Sequence, residues 1–115
     1  MLDKLKEMTG GDEKRMALYL STYKNAAEDQ ILSMSMALED SNYNEIRIIV
    51  HSAKPLLKLL GLDELWECAN DIEVSIDTDI GLELLLENCE DFLSLTQDAL
   101  NKISAHSLLH DSWIC

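Results

Sequence analysis

The stretch IRIIVHSAKPLLKLLG, residues 46–61, decides how this chain is read. At about 100° per residue, Ile46, Ile49, Val50, Ala53, Leu56, Leu57 and Leu60 fall in one arc, the apolar face of a helix turned towards a core. His51 lies roughly opposite that arc. Arg47, Lys54 and Lys58 each fall within about 60° of it, so three of the chain's nine Lys and Arg share the exposed face of one histidine. Gly61 supplies the residue that ends the helix by taking a positive φ. The segment therefore reads as a helix from about Asn42 to Leu60, carrying a cationic histidine face.

The same rhythm extends outward in both directions. Met1 to Met8 make a short amphipathic helix that stops at Gly10-Gly11, and Asp12 caps the next one. Met16, Leu20, Tyr23, Ala27, Ile31, Met34 and Leu38 then recur at three-four spacing, which predicts a long one-sided helix from Glu13 to about Leu38. Beyond Gly61, Asp63 is expected to cap a shorter helix that turns Leu65, Ala69 and Ile72 inward. Ser75-Ile76-Asp77 reads as a polar link. Thr78 or Asp79 then starts a last long helix carrying Leu82, Leu85, Leu86, Cys89, Phe92, Leu93, Leu100 and Ile103. Short connections reverse a chain, and every apolar stripe needs a neighbour. The expected fold is thus all-α: an antiparallel up-down four-helix bundle with a short additional N-terminal helix. One domain spans 1–115, with the bundle over about 12–104 and 105–115 as a tail or helix extension.

Composition narrows the function. With 115 residues, 47% of them hydrophobic, and one proline, the chain suits a single globular core. A formal net charge of −13 argues against nucleic acid and anionic membranes, both of which are held by cationic side chains. Cys68, Cys89 and Cys115 are odd in number and lack CxxC spacing, so they are read as reduced thiols, two of them in the core. The opening MLDKLKEMTGGD has no apolar leader region, and no run approaches the roughly 20 apolar residues of a membrane span. A cytoplasmic location is expected.

The cationic face is where chemistry is expected. Like charges one turn apart destabilise a helix, and an anion visiting His51 would give them a purpose. Nearby cations disfavour an imidazolium and keep a ring nitrogen nucleophilic. The same cations can pair with phosphoryl oxygens. Pro55 removes a helix amide opposite the carbonyl of His51, at a typical cost of about 3 kcal/mol, so the helix is expected to bend or loosen there. With Ile48 and Leu59, Pro55 forms an apolar flank on which a partner can dock.

These residues resemble a histidine-containing phosphotransfer (HPt) domain, whose pattern is roughly H-x-x-K-[small], a glycine six residues on, and an apolar-spaced helix. His51, Lys54, Gly61, Leu65, Ala69, Ile72 and Glu73 match it, and Gly10-Gly11-Asp12 ahead of a long helix is similar to the family's N-terminal half, so the likeness covers about residues 1–104. The resemblance implies a phosphorelay intermediate. His51 accepts a phosphoryl group from a receiver-domain aspartyl phosphate and passes it to another receiver, while Lys54 steadies the phosphoryl oxygens. Gly61 is then structural, and Arg47, Ile48, Pro55, Lys58 and Leu59 are docking or electrostatic residues. The implied partners are response-regulator receiver domains and a hybrid sensor kinase. The chain itself needs no cofactor; Mg²⁺ belongs to the receiver. Pro55 departs from the family's usual glycine or serine, and Lys58 from an often small residue, which alters how closely a receiver approaches.

No Gly-rich phosphate loop or kinase signature appears, so a carrier rather than an ATP-using enzyme is expected. The alternatives are a helical adaptor and the dimerisation and phosphoacceptor segment of a sensor histidine kinase. Against the latter, Ser52 follows the histidine and Pro55 comes one position early; that segment is an obligate dimer, whereas an HPt domain is expected to be a monomer. A carboxylate-bridged metal enzyme lacks its E-x-x-H pairs, since Ile48, Ile103 and Ser107 stand at that spacing. His106 and His110, one turn apart, are read as part of a polar tail, Trp66 and Trp113 as packing residues, and the acidic runs as solvated faces.

Overall fold

The computed structural model describes residues 2–79 and 81–104. They form five helices: α1 (Leu2–Thr9), α2 (Glu13–Glu39), α3 (Tyr43–Leu59), α4 (Asp63–Thr78) and α5 (Leu82–Ser104). No strand occurs among the described residues, so the all-helical class read from the periodicity holds. The tail with His106, His110, Trp113 and Cys115 lies outside them.

Local chemistry accounts for most helix ends. The Asp12 carboxylate accepts hydrogen bonds from the backbone N–H groups of Lys14 and Arg15 at 3.0 and 3.3 Å. Asn42 accepts from Glu45 N–H at 3.2 Å. Each satisfies donors that the first turn of a helix leaves free. At the end of α3, Gly61 takes φ +69. Leu62 N–H reaches back to Leu57 C=O at 2.9 Å, and Gly61 N–H to Lys58 C=O at 3.2 Å. This doubly bonded stop needs a left-handed residue after the cap. Gly61 therefore fixes both where α3 ends and the direction in which α4 departs.

Three boundaries differ from the sequence reading: the start and the end of α4 and the start of α5. Asp63 is the first residue of α4, not its cap; Leu62 holds the cap position and makes no side-chain cap bond. Asp63 and Glu64 instead face the positive end of the helix dipole. The polar link expected at Ser75-Ile76-Asp77 is also helical, because Ser75 is buried, Ile76 packs against the core and Asp77 is bound by Arg47. Tertiary contacts override the local preference of Ser and Asp for turns. α4 stops only at Asp79, which is left-handed at φ 53, and α5 begins at Leu82 rather than at Thr78 or Asp79. α3, for its part, runs unbroken through Pro55.

α2 packs against α1, α3 and α5; α3 packs against α4, and α4 against α5. The shared core holds Leu20, Tyr23 and Met34 from α2, Ile46, Val50 and Leu57 from α3, Ala69 and Ile72 from α4, and Cys89, Phe92 and Ile103 from α5. Leu5 of α1 is fully buried against it. Leu56, expected inward, is only partly buried, and Leu82 and Leu86 are exposed. No described helix is long and apolar enough to cross a membrane. With Ile46, Ile49, Val50, Ala53 and Leu57 turned inward, the opposite face of α3 is held outward along its seam with α4.

Candidate functional site

Two stripes of equal spacing meet at that seam. On α3 the stripe is Arg47, His51, Lys54 and Lys58; on α4 it is Trp66, Asn70, Glu73 and Asp77. Each advances by four, three and four residues, which keeps side chains on one helical face. The partners run in opposite order along the two helices. Arg47 Nε donates to Asp77 Oδ1 at 2.7 Å, and Lys54 Nζ donates to Asn70 Oδ1 at 2.8 Å and to Glu73 Oε1 at 3.1 Å. Lys54 and Lys58 Nζ stand 4.9 and 5.1 Å from the Trp66 ring centroid.

Glu73 is the hub of this seam. Its side chain is 11% exposed, yet it meets Lys54, Arg47 at 3.5 Å, and His51 Nδ1 at 2.7 Å. Burial pushes its carboxyl pKa up, but hydrogen bonds from Lys54 and His51 outweigh this and hold it below the ordinary value. An ionised carboxylate only accepts hydrogen bonds. Nδ1 must therefore carry the proton it shares with Glu73, and in the neutral ring the lone pair sits on Nε2. The His51 side chain is 64% exposed, and Nε2 has no hydrogen-bond partner among the described residues. The seam thus presents an outward imidazole, oriented through one nitrogen with the other free.

The chain matches no protein-family model, no curated protein and no solved structure.

The seam brings His51, Arg47, Lys54 and Lys58 together as the sequence suggested, with corrections in detail. Lys54, expected to be exposed, is 19% exposed and fixed by three partners. The expectation that surrounding cations act directly on the imidazole also changes. The group touching the ring is a carboxylate, while Arg47 and Lys54 are themselves engaged by Asp77 and Glu73. The apolar flank is present: Ile48 is 47% and Leu59 42% exposed, and Pro55 is exposed. By helical count these three fall on one side of His51 and the cations on the other.

Four further residues join the site that the sequence alone does not mark as part of it: Glu73, which matches only the family pattern, Trp66, which reads as a packing residue, Asp77, which reads as part of a polar link, and Asn70. A signal did exist: the four share the spacing of Arg47, His51, Lys54 and Lys58 on the preceding helix. Among the described residues, no group of three or more His, Cys, Asp and Glu stands close enough to hold a metal ion.

Proposed function

We propose that this chain is a phosphorelay intermediate that takes a phosphoryl group onto Nε2 of His51 from the aspartyl phosphate of a receiver domain and delivers it to another receiver. The observation that carries this reading is the exposed imidazole held through Nδ1 by the ionised Glu73 at 2.7 Å. We further read the helices as an antiparallel up-down four-helix bundle, acting as a cytoplasmic monomer without an ATP site.

In the transfer, the Nε2 lone pair attacks phosphorus, the P–O bond to the aspartyl group breaks, and the aspartate leaves with the electron pair. The ring then bears phosphorus on Nε2 and a proton on Nδ1, and so a positive charge that the Glu73 carboxylate stabilises. Lys54, 3.1 Å from the other oxygen of the same carboxylate, is placed to share its hydrogen bonds with the incoming phosphoryl oxygens. Chemistry of this kind depends on positioning and electrostatics. Mg²⁺ and the acceptor aspartate belong to the receiver. The flank of Ile48, Pro55 and Leu59 is where the receiver packs.

Incubation with a phosphorylated receiver tests the reading. Acid-labile label on the wild type that is absent from His51→Gln supports it, and equal labelling of the two rejects the site. A plain adaptor would take no label.

A further inference from the structure

The three cations of the α3 stripe are not held alike. Arg47 is engaged by Asp77 and Glu73, and Lys54 by Glu73 and Asn70. Lys58 has no carboxylate within ion-pair distance among the described residues; its ammonium instead lies over the Trp66 ring, 5.1 Å from the centroid. Lys54 shares that ring at 4.9 Å. Two ammonium groups one helical turn apart repel each other, so exposed lysines in this register are expected to splay. A ring face attracts both, and Trp66, partly buried and packed against the core, does not follow them outward. Along the seam, then, three cations meet two carboxylates, and the surplus charge is the one held by an indole.

We propose that Trp66 is a positioning residue for phosphoryl capture: its ring keeps Lys54 and Lys58 aligned on the His51 side of the seam, so that an anionic phosphoryl donor meets two prealigned ammonium groups. This rests on the reading of His51 as phosphoacceptor. Lys54 contributes the nearer charge, shared with Glu73. Lys58 contributes the charge with no carboxylate to leave, because a contact with a ring is weaker than a charge-assisted hydrogen bond. Trp66 touches no reacting atom and acts only through the two lysines.

Phosphoramidate is a suitable probe, since it is a small anion and removes receiver docking from the measurement. Nε2 attacks its phosphorus, the P–N bond breaks, and ammonia leaves. The rate of phosphohistidine formation is followed by ³¹P NMR, in parallel with circular dichroism to establish folding. Trp66→Leu keeps an apolar, though smaller, side chain but loses the ring, and is expected to slow phosphorylation about two- to five-fold. Trp66→Phe restores most of the rate, as packing alone would not require. In a Lys54→Met, Lys58→Met background, Trp66→Leu has no further effect, and the rate depends less on salt. An unchanged rate in Trp66→Leu, or the same loss with both lysines absent, overturns the proposal. If Trp66→Leu does not fold, Lys58→Met carries the test: a slowing of the same size supports the alignment, and none overturns it. Failure of the wild type to label at His51 removes the phosphocarrier reading and this inference together, whereas wild-type labelling indifferent to Trp66 and Lys58 removes the inference alone.

Discussion

His51 Nδ1 and Glu73 Oε2 lie 2.7 Å apart across the α3–α4 seam, joining a largely exposed ring to a largely buried carboxylate. The carboxylate fixes which ring nitrogen is free, much as a supporting carboxylate orients a catalytic histidine in hydrolytic triads. Glu73→Ala is therefore expected to slow phosphoryl transfer to His51 by about 10- to 100-fold, the scale seen when the carboxylate that orients a metal-bound histidine is lost. ¹⁵N NMR provides a check without phosphate: the neutral ring carries its proton on Nδ1 in the wild type and mixes tautomers in the variant. An unchanged tautomer in Glu73→Ala would remove Glu73 from the mechanism.

The same carboxylate links stability to acid. Its folded pKa is lowered, with hydrogen bonds from Lys54 and His51 outweighing the opposing effect of burial. A depressed carboxyl pKa contributes stability that is present above the unfolded value, ordinarily near 4.5, and is lost as pH falls through the folded value. Urea unfolding of wild type and Glu73→Gln should show a constant gap at neutral pH that narrows as acidity passes below that ordinary value. A gap that widens in acid would contradict the assignment.

Lys54 serves both the fold and the site. Its ammonium bonds Asn70 and Glu73 at 2.8 and 3.1 Å while its side chain is only 19% exposed. Lys54→Ala should cost about 1–2 kcal/mol of stability, as expected for charge-assisted hydrogen bonds at a part-buried position, and should also slow transfer. Denaturation and transfer measured on one sample separate the two effects, and an unaffected denaturation midpoint would argue against the anchoring described here.

Tyr23 makes the core sensitive to alkali. Burial pushes its phenol up to about 12 from 10.0, and its hydroxyl has no protein partner among the described residues. A raised folded pKa stabilises the native state below the unfolded pKa and is lost as pH rises through the window from 10 to 12. Tyr23→Phe should be as stable as wild type or about 1 kcal/mol more so at neutral pH, and should resist alkaline unfolding through that window. Loss of stability at neutral pH would show that the hydroxyl is satisfied.

Cys68 and Cys89 should be slow to react while the chain is folded. Burial, with help from Asp91 and Asp71, lifts the Cys68 thiol to about 12, and burial lifts Cys89 to about 11. The thiolate is the reactive form. Peptide mapping after brief iodoacetamide treatment at neutral pH should find both unmodified in the native chain and modified in urea.

Much of the fold was legible because apolar spacing is a direct image of burial. Met16, Leu20, Tyr23, Ala27 and Met34 of α2 sit inward as their rhythm requires, as do Ile46, Ile49, Val50, Ala53 and Leu57 of α3. Gly61 and Asp12 act through their own backbone and side-chain chemistry, so they too can be read locally. Ser75-Ile76-Asp77 could not be, since what holds it helical lies elsewhere in the chain: the core that buries Ser75 and packs on Ile76, and Arg47, thirty positions before its partner Asp77. The site divides along the same line. His51 and its cations lie on one helix and follow from one periodicity, whereas Glu73, Asn70 and Trp66 gain meaning only when a second helix is laid against the first. Nothing within α4 marks Glu73 as a buried anion, and its partners are supplied by α3.

The most direct test of the central claim is to locate the phosphoryl group itself. After reaction with a phosphorylated receiver, heteronuclear ³¹P and ¹⁵N NMR of the labelled chain is expected to show a single phosphorylated histidine, His51, with phosphorus bonded to Nε2 and the group lost on exposure to acid. Phosphorus on Nδ1, on another residue, or absent from a folded chain whose receiver remains charged would contradict it.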